Sequence, residues 1–171
     1  MSSSMLKIGG TFRLQVLSKE GDIKHEEEID NGWVNNGLKH LMDRTFKGSP
    51  PTQATFYIGL IDGSPTLSDD DAIDSHSGWS EVTAYAETER QAWGQDDPVE
   101  ESGNLITAVN STAASFNING TVTAGGAFIV TDDTKSGTTG TLIATGVFSS
   151  DLSLENGDIL KIFYSLKAQA A

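Results

Sequence analysis

The sequence predicts a mainly β chain: a jelly-roll-like antiparallel β-sandwich with an N-terminal hairpin arm and one short α-helix. Three observations carry this prediction. Short runs rich in Val, Ile, Thr and Phe recur along the chain, with glycine and Asx turn signals between them. Only one segment shows the 3.6-residue apolar period of a helix. There are 18 glycines against 4 prolines, so the turns are built mainly on glycine, Asn and Asp.

At 171 residues the chain fits one domain with a sizeable core. The predicted boundaries are an arm over 1–34 and a sandwich over 35–171, led by a helix over 35–47. Thr11 to Leu17 alternates as a strand. Ser18-Lys19-Glu20-Gly21-Asp22 is a turn, with glycine where positive φ is cheap. Ile23 to Ile29 is polar and reads as an exposed second strand, whose Glu26-Glu27-Glu28 run guards an edge against aggregation.

Asn31 to Phe46 is the helical segment. Asn35 or Asn36 is its expected cap, and Val34, Leu38, Leu41, Met42 and Phe46 form its expected core face. Gly48-Ser49-Pro50-Pro51 ends it. Phe56 to Ile61 is almost continuously apolar, the pattern of a strand buried on both faces. Further strands are expected at 105–106, 114–118, 126–130, 141–148 and 159–166. Turn signals at Asn119-Gly120, Lys135-Ser136-Gly137 and Asn156-Gly157-Asp158 separate them.

Charge and composition narrow the function classes. The net charge of -13 argues against nucleic acid, since a phosphate binder needs a cationic face. Its distribution is uneven. Residues 1–48 carry seven Lys/Arg and seven Asp/Glu, whereas 49–171 carry four and seventeen, the source of the whole -13. A neutral end can dock on an assembly while an acidic body stays hydrated. No apolar window is long enough for a spanning helix, and Met1 to Met5 does not open a secretory signal, so no membrane partner is expected. Residues 1–4 read as a poorly ordered leader ahead of Met5.

No cofactor, metal site or catalytic residue is predicted. The absence of cysteine removes disulfides, thiolate sites and cysteine nucleophiles. Asp69-Asp70-Asp71 with Asp74 invites a calcium reading, but it lacks the alternating acidic loop with a downstream bidentate Glu, so a solvated loop is expected. Asp74, His76 and Ser77 are adjacent in sequence, which is no evidence of a triad. A non-enzymatic protein without a small-molecule substrate follows. The candidate protein-interface residues are Phe12, Arg13, Lys24 and Trp33 in the neutral segment, with Trp79, Tyr85, Arg90 and Trp93 further on. Trp, Tyr and Arg dominate interface hot spots, and they equally well pack a core.

One ordered series of motifs goes further. It comprises Asn36-Gly37-Leu38, Tyr57 to Gly63, Ser75 to Glu81, Tyr85 to Trp93, Gly125 to Phe128, Thr134 to Leu142, Gly146 to Phe148 and Asn156 to Leu166. In this order, over residues 35–167, the chain resembles small structural proteins of tailed bacteriophages, most closely capsid decoration (cement) proteins. The resemblance implies a homotrimer on the capsid exterior, assembled in the host cytoplasm, that clamps neighbouring copies of the major capsid protein. Its alternative is a tail-tip, fibre or head-fibre module that binds host-surface glycan. The neutral hairpin is then the candidate capsid contact, and exposed Trp79 and Trp93 would favour the glycan reading.

Overall fold

The computed structural model describes residues 5–47 and 55–170. The expected leader at 1–4 and the helix stop at 48–51 lie outside them. The strands are β1 Leu6–Leu17, β2 Ile23–Trp33, β3 Phe56–Asp62, β4 Glu81–Val82, β5 Gln91–Trp93, β6 Val99–Glu101, β7 Leu105–Val109, β8 Ala114–Asn117, β9 Val122–Val130, β10 Leu142–Leu154 and β11 Ile159–Ala170. Helix α1, Asn35–Phe46, joins β2 to β3.

The antiparallel β-sandwich expected from the sequence is present. All strands join one sheet in the order β4-β3-β9-β10-β2-β1-β11-β7-β6, with β5 also on β3 and β8 also on β11. This sheet folds over itself into two layers at β2. The strand pairs with β1 from Ile23 to Asn31, and its last residues, Gly32 and Trp33, pair instead with Thr145 and Ala144 of β10. One layer is β6-β7-β11-β1-β2, and the other is β10-β9-β3 with β4 and β5.

The turns form where their residues permit. Gly21 has φ 92° in the β1–β2 hairpin, closed by Ser18 N–H to Asp22 O at 2.8 Å. Gly157 has φ 97° in the β10–β11 connection. The hairpin is more deeply embedded than an arm. β1 is a central strand, paired with β2 on one side and β11 on the other, and Phe12 and Leu14 are wholly buried.

Two apolar clusters result from β3 and β9 alternating in register. Ile58, Leu60, Ala127 and Ile129 face the interior between the layers, with Phe12, Leu14, Phe116, Ile162 and Tyr164. Ile61, Phe128 and Val130 face the opposite way, against Val34, Ile73, Trp79 and Leu142. The β3 strand is thus buried on both faces, as its apolar run predicts. The second face is covered by the loop 63–80 and the start of α1.

The helix departs from expectation. Its N-cap is Val34, with no side-chain cap. The first turn is instead tied to the acidic loop, where Asn35 N–H donates to Asp69 O at 2.8 Å and Asn35 Nδ2 donates to Asp70 Oδ1 at 2.8 Å. Of the expected core face, Val34 at the N-cap is buried and Leu41 is half-buried, but Leu38, Met42 and Phe46 are exposed, and Gly37 is the one buried residue within the helix. The helix comes closest to β10 at Gly37. A Cβ on Gly37 would lie 2.1 Å from the Ile143 carbonyl oxygen.

Replacing Gly37 by Ala therefore forces the helix off its seat. We expect Gly37→Ala to lose about 1–3 kcal/mol, the usual range for overpacking, in urea unfolding. Ala at exposed Asn36 should be close to neutral.

Candidate functional site

The loop segment 63–93 carries four of the eight predicted contact residues, and its geometry decides their roles. It is stitched together locally. Thr66 N–H donates to Gly78 O at 2.9 Å, and a Cβ on Gly78 would fall 1.9 Å from Thr66 O, so only glycine fits that crossing. Trp79 Nε1 donates to Asp71 Oδ2 at 3.0 Å, the same oxygen that accepts Ser68 N–H at 3.0 Å. The sequence pattern places all of 69–74 in solvent, yet Asp71 is buried because it satisfies the Trp79 indole. His76 lies on the Trp79 ring at 3.7 Å, and Phe128 contacts that ring at 5.2 Å.

Arg90 is the centre of the segment. Its Nε and Nη2 donate to Glu81 Oε1 and Oε2 at 3.0 and 2.8 Å, a two-pronged pair with side chains 0% and 7% exposed. Nη1 donates to Asp132 O at 3.0 Å, and Nη2 also reaches Gly137 O at 2.8 Å. Glu81 Oε2 accepts Ser136 N–H at 2.9 Å, and the guanidinium lies 5.2 Å from the Phe128 ring centre. A planar fork matches carboxylate and carbonyl acceptors at once, which lysine cannot do. The pair fastens the β4–β5 segment to the 131–140 loop between β9 and β10.

A cleft of ≈ 430 Å³ opens beside this pair, lined by His76, Trp79, Glu81, Arg90 and Gly137 among others. The polar groups at its base already bond one another, so they present few free donors or acceptors to a ligand. Among the described residues, no group of three or more His, Cys, Asp or Glu side chains is placed to hold a metal ion.

The other candidate contacts scatter. Tyr85 and Trp93 are buried in the inter-layer core. Tyr85 stacks edge-on against Phe116 at 5.1 Å, and Trp93 does so against Tyr164 at 5.2 Å, donating Nε1 to Tyr164 O at 3.1 Å. Phe12 meets the same Tyr164 ring at 4.8 Å. Burial pushes the Tyr164 phenol up to about 12, against a hydrogen bond with Asn31 that acts the other way. Trp33 is half-buried against this core.

Trp79, Tyr85, Arg90, Trp93 and Phe12 are therefore all at work inside the chain, and the packing reading of these residues is the one the geometry meets. Of the eight, Arg13 and Lys24 reach the surface. Arg13 lies over Phe163 at 4.0 Å and 3.6 Å from Glu26, on the outer face of the β1 layer. Lys24 bonds Asp158 at 2.7 Å.

Residues 33–166 match the family described as Podophage GP4 fiber I protein gp80. The chain belongs to this family. None of the curated proteins matches it. Membership of the fiber I family makes the chain a structural protein of a phage virion, the origin that the motif series implies. The family is one of fibre proteins, whereas the resemblance pointed first to capsid decoration. The matched span runs from the end of β2 into β11. It contains every element of the Arg90 site and leaves out β1, the strand that closes the sandwich against β11.

Two expectations follow from these pairs. Arg90→Leu leaves the Glu81 carboxylate buried without its cation, a change that costs about 3–5 kcal/mol. Arg90→Leu combined with Glu81→Leu should cost less than Arg90→Leu alone, which a double-mutant cycle in urea measures. The second concerns pH. The Asp158 hydrogen bond raises the Lys24 ammonium, more strongly than burial lowers it. Burial pushes Asp158 up, but hydrogen bonds from Lys24 and the Glu155 N–H outweigh it and hold the carboxyl below its usual range. A depressed acid stabilises above its unfolded value and loses that contribution as pH falls through the folded one. A raised lysine loses its contribution as pH rises through its folded value. The Lys24 contribution should therefore be level between about pH 5 and 10 and fall on both sides, and Asp158→Asn should flatten both flanks of the melting-temperature profile.

Proposed function

We propose that this chain is a non-enzymatic module of a virion fibre, a homo-oligomer, with a homotrimer as the form expected, that builds or anchors the fibre rather than cementing the head lattice. The family match over residues 33–166 carries this reading, because it runs from the end of β2 into β11, outside the β1–β2 hairpin, and the family is one of fibre proteins. The physical character of the chain supports it. Its most elaborate polar site, around Arg90, is a closed fastening of two loops, the work of a rigid scaffold.

The fibre role proposed is structural rather than lectin-like. A sugar ring stacks on an exposed aromatic face, but Trp79 and Trp93 are 6% and 4% exposed. A fibre's host-glycan contact then falls to other surfaces or other fibre proteins. The partners are other virion proteins and further copies of the chain. Binding only the assembled form would stabilise the fibre by mass action.

The test is location. Gold-labelled antibody against the chain, or an averaged density map of the virion, should place it on the tail fibres. Labelling spread over the head lattice would overturn the fibre reading in favour of decoration. So would purified protein that binds heads lacking it and raises their melting temperature.

A further inference from the structure

One end of the sandwich carries most of the exposed apolar side chains. The strand pairing defines that end. Leu6 pairs with Ala170, Gln169 with Leu105 and Leu105 with Glu101 in one layer. Trp33 pairs with Ala144, Leu142 with Val130, Val130 with Tyr57 and Phe56 with Trp93 in the other. The start of β1, the end of β11 and the starts of β3, β7 and β10 therefore lie together. Helix α1 leaves β2 at the same end, with His40 6.4 Å from the Phe56 ring.

Ten large apolar side chains are exposed among the described residues, and seven belong to this end. Met5, Leu6, Val99 and Ile106 lie on or beside the strand ends. Leu38, Met42 and Phe46 are spaced four apart along α1, so they form one stripe. Met42 is 57% exposed and Phe46 73%. By the strand register Val99 faces with Thr107 and so stands on the sheet face opposite Ile106; the other six, at about 150–200 Å² for a fully exposed large side chain, sum to roughly 600 Å². The largest patch on an ordinary monomer is about 300–600 Å², and a standard interface covers about 800 Å² on each partner.

We propose that this end, centred on the Leu38–Met42–Phe46 stripe of α1, is where a second copy of this chain docks. Charge selects the occupant. Two copies that each carry -13 repel one another across their acidic bodies. Five of these six side chains belong to residues 1–48, the segment with equal numbers of Lys/Arg and Asp/Glu. A basic partner would be drawn to the acidic body; an identical copy is driven away from it and towards the neutral apolar end. A patch meeting its own counterpart closes as a two-fold pair, whereas a closed trimer brings the α1 stripe of one copy against a neighbouring part of the same end of the next. The exposed edge strand β6 is a poorer route, since Glu100 and Glu101 guard it.

This inference rests on the homo-oligomeric part of the proposed function, and solution mass tests it apart from virion location. Purified full-length protein should sediment as an oligomer at micromolar concentration. Raising salt should tighten association, because it screens the repulsion of the bodies while leaving apolar contact intact. Met42→Glu with Phe46→Glu should weaken the association by at least about tenfold while circular dichroism and melting of the monomer stay native. Ile23→Glu, an equally exposed site at the opposite end, should leave it unchanged. A monomeric wild type, association that salt weakens, or an oligomer indifferent to the α1 changes would each overturn the proposal, even if the protein is found on fibres.

Discussion

The β3–β9 pair is apolar on both faces, and the rest of the structure is arranged around covering it. Ile58, Leu60, Ala127 and Ile129 look inward, while Ile61, Phe128 and Val130 look outward. A single second sheet covers only one side. The β1-containing layer takes the inner face, and the outer face draws the loop 63–80 and the first turn of α1 across it. Gly59 belongs to this constraint, because a Cβ there would enter the Phe128 ring at 2.2 Å. Without that glycine the Phe128 ring could not lie flat over the strand to meet Trp79 and Arg90.

Covering the outer face with loop instead of sheet raises a second problem, since loop backbone and polar side chains are carried into a buried setting. The chain meets it by pairing its charged groups, while the buried Tyr85 hydroxyl is left without a hydrogen-bond partner among the described residues. Asp71 serves the Trp79 indole, and Arg90 serves Glu81 and two carbonyls of the 131–140 loop. The same logic operates on the inner side, where β7 and β8 leave a gap along β11. Asn110 fills it, accepting Tyr164 N–H at 2.7 Å and donating to Ile162 O at 3.4 Å, as a neighbouring strand would. Rigid, internally satisfied surfaces suit a protein that transmits load or holds position in a virion. They leave α1, hung from β10 by Gly37, as the element with unspent apolar surface.

Local pattern made much of this legible in the sequence. Thr11 to Leu17, Ile23 to Ile29, Phe56 to Ile61 and the later runs each became strands, because period-two or continuous apolar character shows within six residues. Gly21 and Gly157 marked turns that need positive φ. The two-residue β4 and three-residue β5 and β6 escaped notice, being too short to display a period. The motif order across 35–167 led to phage structural proteins, and the family match supports that origin, the family itself being described as one of podophage fibre proteins.

The sequence by itself determined the β-rich class, the turn positions, the double burial of β3 and the phage origin, because each is written in neighbouring residues or in their order. Only the tertiary structure decided what the aromatic and charged residues do. Trp79, Tyr85, Arg90 and Trp93 have the composition of an interface and the burial of a core, and the choice depends on Phe128, Phe116, Tyr164 and Glu81, most of them distant in sequence. The helix shows the converse. Its apolar period predicts a buried face, yet the helix lies closest to β10 at Gly37, with Leu41 only half-buried and Leu38, Met42 and Phe46 in solvent. Periodicity records which side chains share a face; only the packing of distant elements determines whether anything lies against it.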